Sequence, residues 1–259
     1  MESGDAAVLR VGGLIKSYLT RVDIRGIVLD QADMARQKII RFGGDIREHP
    51  RYSIDEAAAY LRIPLATLRS WVSGRPYITK SGRRRFHPLI DPADRRRNLL
   101  SFYNLAEAHV LRATTQNNIP IKNVRMAMDY LREAMPSPHP LIRHEFLTFG
   151  RDLFIKHLGQ PLNATRHGQI AIGEILEEYL KRLDRDQEGM PIQLYPVETR
   201  VLAINPRIAS GKPVVKGTGI SASVLLDRKN AGESIPEVAE DYGLTTFEVE
   251  AAIQEFAAA

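Results

Sequence analysis

Hydrophobic residues recur at helical spacing in two short runs near residue 60. The first run has apolar residues at positions i, i+3, i+4 and i+7, namely Ile54, Ala57, Ala58 and Leu61. This spacing places them on one face of a helix. Ser53 and Glu56 form a Ser-x-x-Glu capping box, in which the hydroxyl and the carboxylate accept hydrogen bonds from free backbone N–H groups. The pattern therefore predicts a helix from Ser53 to about Leu61.

The second run begins at Pro64, which ends the first helix and can open the next one. It predicts a helix from Pro64 to Ser73 that is closed by Gly74. The inward positions are Leu65, Leu68, Trp71 and Val72, and the outward positions are Ala66, Thr67 and Ser70, with Arg69 on the flank. A short hairpin with its turn at residues 80–83 is predicted next. Helix, turn, helix and wing in this order are typical of a winged helix-turn-helix.

Helical and hairpin patterns continue through the middle of the chain. We expect helices at about residues 103–115, 120–135 and 168–183, and a second hairpin over residues 146–155 that turns at Gly150. With that hairpin, two helices followed by a hairpin would occur twice in the chain. The stretch through Pro191 and Pro196 is typical of a linker or a crossing segment, which indicates a domain boundary near residue 190.

Three further helices are predicted near residues 221–231, 235–242 and 246–256. The expected fold is therefore mainly α with small β hairpins, divided into four parts. These are an N-terminal extension over 1–48, a winged helix-turn-helix domain over 49–98, a helical middle region with a hairpin over 99–190, and a three-helix, helix-turn-helix-like domain over 191–259. The hydrophobic residues of the extension follow no sustained helical or strand period, so a flexible arm and a small appendage are both possible structures for it.

The two helix-turn-helix patterns carry opposite net charges. The segment from Arg62 to Arg97 carries a net charge of +8, whereas the segment from Glu233 to Glu255 carries −7 and contains no Lys or Arg. Because Lys and Arg neutralise the phosphates of a duplex and release counterions, the first segment is favoured as a DNA-binding surface. The candidate DNA-binding residues are Thr67, Arg69, Ser70, Lys80, Arg83, Arg84 and Arg85. An ordinary helical hairpin with a solvated basic loop is the alternative.

The acidic segment predicts a different partner. A helix whose outer face carries carboxylates would be repelled by phosphate, so this face suits a basic protein surface. The candidate partner-binding residues are Glu248, Glu250 and Glu255. A solvated acidic face without a partner is the alternative, since charge on exposed helix faces is common.

Composition excludes several kinds of chemistry. The chain has no cysteine, which rules out disulfides and thiolate sites and makes a cytoplasmic location the expectation. It lacks a long apolar run, so we expect no membrane span. The Walker spacing is absent and the histidines lack the spacing of a metal site on a helix. We therefore predict no cofactor, no metal and no enzyme active site.

Two parts of the chain resemble known families. Residues 52–58 and 67–71 are similar to the MerR-like DNA-binding domain of one branch of VapB-type antitoxins. The C-terminal part resembles the domain of unknown function 433, with matching pattern residues at 204–206, 211–220, 231–234 and 241–245. Many members of that family have Arg and Pro where this chain has Gly219 and Ser221, so any role of that Arg cannot be carried over.

The resemblance implies an antitoxin of a type II toxin-antitoxin pair, which binds and silences a PIN-domain ribonuclease and represses its own operon. We accordingly predict that the chain binds operator DNA, as a homodimer on a two-fold site, and holds its toxin through the C-terminal region. Two alternatives stay open. One is a stand-alone transcription regulator whose C-terminal domain only dimerises, and the other is a protein-binding adaptor without affinity for DNA.

Overall fold

Short hairpins and connecting loops join the helices in this protein. The structure, a computed structural model, describes residues 44–74, 76–79, 82–116, 119–158 and 166–258. Most of the predicted N-terminal extension lies outside these residues. Its last residues do not form a free arm: Asp45 caps a 3-10 turn over Ile46–Glu48, and the Arg47 guanidinium hydrogen-bonds the carboxylate of Asp186.

The predicted helix-turn-helix is confirmed. Helix α1 (Ile54–Tyr60) begins with the capping box, in which the Glu56 N–H donates to the Ser53 hydroxyl and the Glu56 carboxylate accepts from the Ser53 N–H. Helix α2 (Leu65–Ser73) buries Leu68, Trp71 and Val72 and ends at Gly74, whose φ of +67° needs no strain in a glycine.

The inward assignment of Leu65 was wrong. Its side chain is 37% exposed, although Leu68 on the next turn of the same helix is fully buried. Leu65 is the first residue of α2, and Cβ atoms of a helix tilt toward its N-terminus. Its side chain therefore extends past the end of α2 and beyond the packed core.

The predicted wing is also present. Strand β1 (Pro76–Thr79) pairs antiparallel with strand β2 (Gly82–Arg85), in the register Pro76 with Arg85 and Thr79 with Gly82. After the wing the backbone returns to α2, where the Leu89 and Ile90 N–H groups donate to the Trp71 carbonyl over 2.7 and 3.2 Å. The wing is thus fixed at its base to the helix that precedes it.

The middle region contains a buried central helix. Helix α3 (Phe102–Gln116) and helix α4 (Ile121–Ala134) match the predicted pair, and every residue from Phe102 to Leu111 is buried. The hairpin predicted over residues 146–155 is wrong. A π-helical turn (Phe146–Gly150) runs directly into helix α5 (Arg151–Leu158).

Gly150 explains this error. A Cβ at this position would lie 2.7 Å from the Sδ of Met135 and 3.1 Å from the Cδ2 of Phe146. The glycine is thus required for close packing between helical segments, whereas the sequence pattern suggested a turn. Consequently, the repeat of two helices and a hairpin that was predicted over residues 103–155 is not formed there.

The segment predicted to be a linker is paired in a hairpin. Helix α6 (Arg166–Leu180) ends three residues earlier than predicted, and strand β3 (Leu183–Arg185) pairs antiparallel with strand β4 (Pro191–Leu194). Asp186 forms the turn, since its carboxylate accepts from the N–H groups of Glu188 and Met190. Pro191 is tolerated at the start of its strand, where no ladder hydrogen bond is lost.

The C-terminal region has the three predicted helices. They are α7 (Ala222–Asn230), α8 (Ile235–Tyr242) and α9 (Thr246–Ala257), and they follow a small sheet of β5 (Leu202–Ala203) and β6 (Val214–Val215). These elements form a hydrophobic cluster separate from the larger cluster of the preceding residues. Residues 43–259 nevertheless form one compact unit. None of the described helices is both long and apolar enough to cross a membrane.

Candidate nucleic-acid interface

Helix α2 presents three of the predicted DNA-binding residues on its outer side. Opposite the buried residues, Ala66 and Arg69 are exposed, and Thr67 and Ser70 are half-buried. Thr67 and Arg69 lie on opposite flanks of the helix, since successive residues are separated by about 100° around the helix axis. A helix in the recognition position of a helix-turn-helix places such an outer side in the major groove.

Arg69 is held near helix α1. One of its guanidinium nitrogens lies 3.6 Å from a carboxylate oxygen of Asp55, and both side chains are mainly exposed. Such an exposed pair contributes little to stability because water and salt screen it. It does, however, keep a negative charge beside an arginine that was predicted to contact DNA.

The structure describes the wing arginines in their backbone only. Arg83, Arg84 and Arg85 occupy three successive positions of β2, paired with Ile78, Tyr77 and Pro76 of β1. Their side chains and the whole of Lys80 lie outside the described residues.

Two arginines of the basic segment form ion pairs with its two aspartates, which are already counted in its net charge of +8. Arg95 pairs with Asp91 and Arg97 with Asp94, at 2.9 and 2.7 Å. Hydrogen bonds from the Arg97 backbone N–H and guanidinium hold the pKa of Asp94 below its usual range. Arg95 and Arg97 are therefore already engaged by carboxylates within the fold.

Two arginines of α4 attach to the segment that leaves the wing. The Arg125 guanidinium donates to the His87 carbonyl over 2.5 Å and stacks over the Phe86 ring, while Arg132 donates to the Leu89 carbonyl over 2.7 Å. Sequence patterns did not single out either residue. They follow His87 and Leu89 in the chain by 38 and 43 residues, so these contacts depend on tertiary packing and leave no local signal in the sequence.

A groove of about 1000 Å³ lies between α2, the wing and the junction of α3 with α4. Its lining residues include both apolar and hydroxyl-bearing side chains, which are Ala66, Thr67, Ser70, Trp71, Ile78, Phe86, Thr114, Thr115, Ile119, Ile121, Val124 and Arg125. Ile78 is 89% exposed on the wing. The outer side of α2 is therefore bounded on one flank by an apolar surface that the sequence did not predict.

The acidic C-terminal residues differ in their availability. Glu248 is used in a capping box, where hydrogen bonds from the backbone N–H and hydroxyl of Thr245 lower its pKa. Glu255 accepts a hydrogen bond from the Thr199 hydroxyl. Glu250 is exposed and lies on the outer side of α9. Of the three predicted partner-binding residues, Glu250 is thus the one with an open carboxylate.

Phe247 was missed by the sequence reasoning. It lies at the start of α9 with 72% of its surface exposed, close to the outer position of Glu250. A periodicity argument uses the apolar residues that form a stripe, and Phe247 falls outside the stripe of Val249, Ala252 and Ile253. A single exposed aromatic residue is common on protein surfaces, so Phe247 by itself does not assign a partner to α9.

The C-terminal helices contact the helix-turn-helix directly. The Arg62 guanidinium, just after α1, donates to the Glu255 carbonyl over 2.7 Å, and the Tyr60 and Phe256 rings lie 6.5 Å apart between centroids. The Arg51 guanidinium also donates to the Pro206 carbonyl over 3.1 Å. The two regions predicted to bind different partners therefore share a contact surface within one compact unit.

Comparisons with known families agree with this division of the chain. Residues 50–128 match a family model described as "Putative DNA-binding HTH domain", and residues 202–255 match one described as "Protein of unknown function (DUF433)". The first match covers α1, α2, the wing, α3 and the first half of α4. The second covers the small sheet and the three C-terminal helices. The chain thus carries a helix-turn-helix region with the pattern of DNA-binding domains.

Similar proteins are found in Mycobacterium tuberculosis (strain ATCC 25618 / H37Rv). The chain is 29% identical to "Putative antitoxin VapB45" over 81% of its own length and 95% of that protein. It is 25% identical to "Uncharacterized protein Rv2308" over 78% of its length and 88% of that protein. A solved crystal structure, of Rv2018 from the same species, shares the fold with a TM-score of 0.60 and 23% identity, and covers 79% of this chain and 98% of that one.

Proposed function

We propose that this protein is an antitoxin that binds operator DNA through α2 and the wing and neutralises a PIN-domain ribonuclease through its C-terminal region. The observation that carries the proposal is the helix-turn-helix and arginine-bearing wing at the position of the matched DNA-binding model. Similarity to a protein named as an antitoxin, over most of both chains, supports the second half of the proposal.

The DNA-binding surface would combine base and phosphate contacts. Thr67 and Ser70 have hydroxyls that can hydrogen-bond a base edge or a phosphate, and Arg69 can pair with guanine. Arg83, Arg84, Arg85 and Lys80 would contact the phosphate backbone next to the helix. A homodimer would place two such surfaces on the two halves of a palindromic operator.

The proposal is tested with DNA from upstream of the protein's own coding sequence. We expect the change of Arg83, Arg84 and Arg85 together to Ala to weaken binding for all DNA sequences. The slope of log affinity against log salt concentration should fall by the amount that corresponds to about three phosphate contacts. The matched control changes Arg95, Arg96 and Arg97 to Ala, which removes the same charge from the same segment. Fluorescence anisotropy at several salt concentrations measures both. Equal loss in the two triple variants would remove the wing from the interface.

The toxin is tested separately. The product of a neighbouring small gene encoding a PIN domain should co-purify with this protein, and its ribonuclease activity should fall when both are present. We expect Glu250→Lys to weaken this complex because the acidic surface would face a basic rim. Glu133→Lys, at an exposed position of α4, is the control. A stand-alone regulator would bind the DNA but would leave the neighbouring ribonuclease fully active.

A further inference from the structure

We propose that the groove between α2, the wing and the α3–α4 junction binds a small amphipathic organic anion, such as an aromatic carboxylate or sulfonate. The proposal rests on the proposed function only for its consequence, which is that the anion and DNA oppose each other's binding. The assignment of the groove itself depends on its shape, its apolar lining and one arginine.

The size and the lining of the groove fit a small organic molecule. Its volume of about 1000 Å³ lies at the upper end of the range typical of such sites. Trp71, Phe86, Ile119, Ile121 and Val124 line it with apolar surface. The hydroxyls of Thr67, Ser70, Thr114 and Thr115 add a few polar groups, which is the combination that orients a ligand in an apolar site.

Arg125 gives the groove its preference for an anion. Its guanidinium contacts a backbone carbonyl and the Phe86 ring, and it has no ion pair with any carboxylate in the described part of the chain. A guanidinium has five N–H donors, so the contact with the His87 carbonyl leaves others for a ligand. A carboxylate or sulfonate beside an apolar body would fill both kinds of surface at once.

The phosphate backbone is a poorer occupant of this groove. Phosphates are strongly hydrated, and the exposed parts of Ile78 and Ile121 offer them no hydrogen bonds. Thr67 and Ser70 nevertheless belong both to the groove wall and to the surface proposed to contact DNA. A molecule bound in the groove would therefore compete for the same side of α2.

The experiment uses 8-anilinonaphthalene-1-sulfonate, a fluorescent molecule with an apolar body and one negative charge. Trp71 is the single tryptophan of the chain and lines the groove, so its emission reports directly on binding there. We expect one saturable site in the full-length protein, with a change in Trp71 emission that follows the enhancement of the dye's fluorescence.

Paired variants locate the site. Arg125→Gln should weaken dye binding about tenfold, as expected when a charge-assisted hydrogen bond is lost. Arg132→Gln is its control, because Arg132 lies on the same helix and contacts carbonyls but does not line the groove. Ile121→Asp should abolish binding by placing a negative charge in the groove. Val224→Asp, at 39% exposure compared with 41% for Ile121, should leave it unchanged.

Circular dichroism shows whether each variant is folded, and only folded variants are compared. Absence of saturable binding, or equal affinities in the groove variants and their controls, would overturn the proposal. The consequence for DNA is measured by reciprocal titration: bound dye should weaken DNA binding, and bound DNA should weaken dye binding by the same factor. If the protein bound no DNA but kept the groove-dependent dye site, the proposed function would fail and the groove assignment would stand.

Discussion

Changing Gly211 to Ala is expected to destabilise the protein where its C-terminal region meets the helix-turn-helix. Gly211 ends a 3-10 turn with φ of +74°, a conformation that costs about 1 to 2 kcal/mol in a residue with a Cβ. The new Cβ would also overlap the hydroxyl oxygen of Tyr52 and lie 3.0 Å from its Cζ. Tyr52 cannot move away easily, because its ring is buried and its backbone exchanges two hydrogen bonds with Leu100.

Overpacking of this kind adds about 1 to 3 kcal/mol, so the free energy of unfolding should fall by about 2 to 5 kcal/mol in total. Tyr52→Phe separates the two contributions. The Tyr52 hydroxyl is buried without a hydrogen-bond partner among the described residues, so its removal alone should be nearly neutral. Added to Gly211→Ala, it should recover the part of the steric cost that comes from the hydroxyl, and should leave the close approach to Cζ together with about 1 to 2 kcal/mol from the backbone conformation.

Urea denaturation of the four proteins, followed by circular dichroism and Trp71 emission, measures these differences. The interaction free energy of the double-mutant cycle isolates the contact between Tyr52 and position 211. The reasoning is refuted if Gly211→Ala lowers the free energy of unfolding by less than about 0.5 kcal/mol, the range of an ordinary surface substitution. It is also refuted if Tyr52→Phe fails to improve the Gly211→Ala variant.

Three further predictions follow from local contacts. Ser53→Ala should lower the free energy of unfolding by about 1 kcal/mol in urea denaturation, because the N-cap of α1 is lost, whereas Thr246→Ala, at an exposed position of α9 that is not an N-cap, should not. Burial opposes protonation of His139, but the hydrogen bond and the charge of Glu107 outweigh this effect and raise the pKa of His139 above 6.5. The protonated His139 therefore stabilises the fold, and this stabilisation is lost as the pH rises from 6.5 through the raised pKa. Over this pH range the melting temperature of the protein should fall relative to that of the His139→Gln variant. Asp55→Asn should strengthen DNA binding about two- to fivefold at low salt, because it releases Arg69 and removes a negative charge. The gain should disappear at high salt, where these charges are screened. An unchanged affinity would place α1 away from the duplex.

Sequence patterns predicted the regular elements well where local signals agreed. The predicted capping box at Ser53 is formed, and the helices at Ile54–Tyr60, Ile235–Tyr242 and Thr246–Ala257 have nearly the predicted ends. The wing was also predicted, because a glycine and basic residues separate two short extended runs. In each case the hydrogen bonds and hydrophobic stripe that fix the element come from residues close together in the chain.

The failures came from residues whose role depends on distant neighbours. Gly150 was interpreted as part of a turn, but it allows two helical segments to pack closely. Pro191 was interpreted as part of a linker, but it begins a paired strand. A glycine or proline marks a special backbone requirement without stating which one. The availability of Glu248 and Glu255 could not be predicted for a similar reason, since it depends on hydrogen bonds made in the folded chain.

The sequence by itself determined the helix-turn-helix, the basic wing and the acidic C-terminal helices, because periodicity, capping and charge are local properties. Only the tertiary structure decided how they are combined. Packing of α4 against the segment after the wing creates the apolar groove beside α2, and contacts of Arg62 and Tyr52 join the C-terminal region to the helix-turn-helix. These features depend on side chains that are far apart in the chain and come together only when the hydrophobic clusters form.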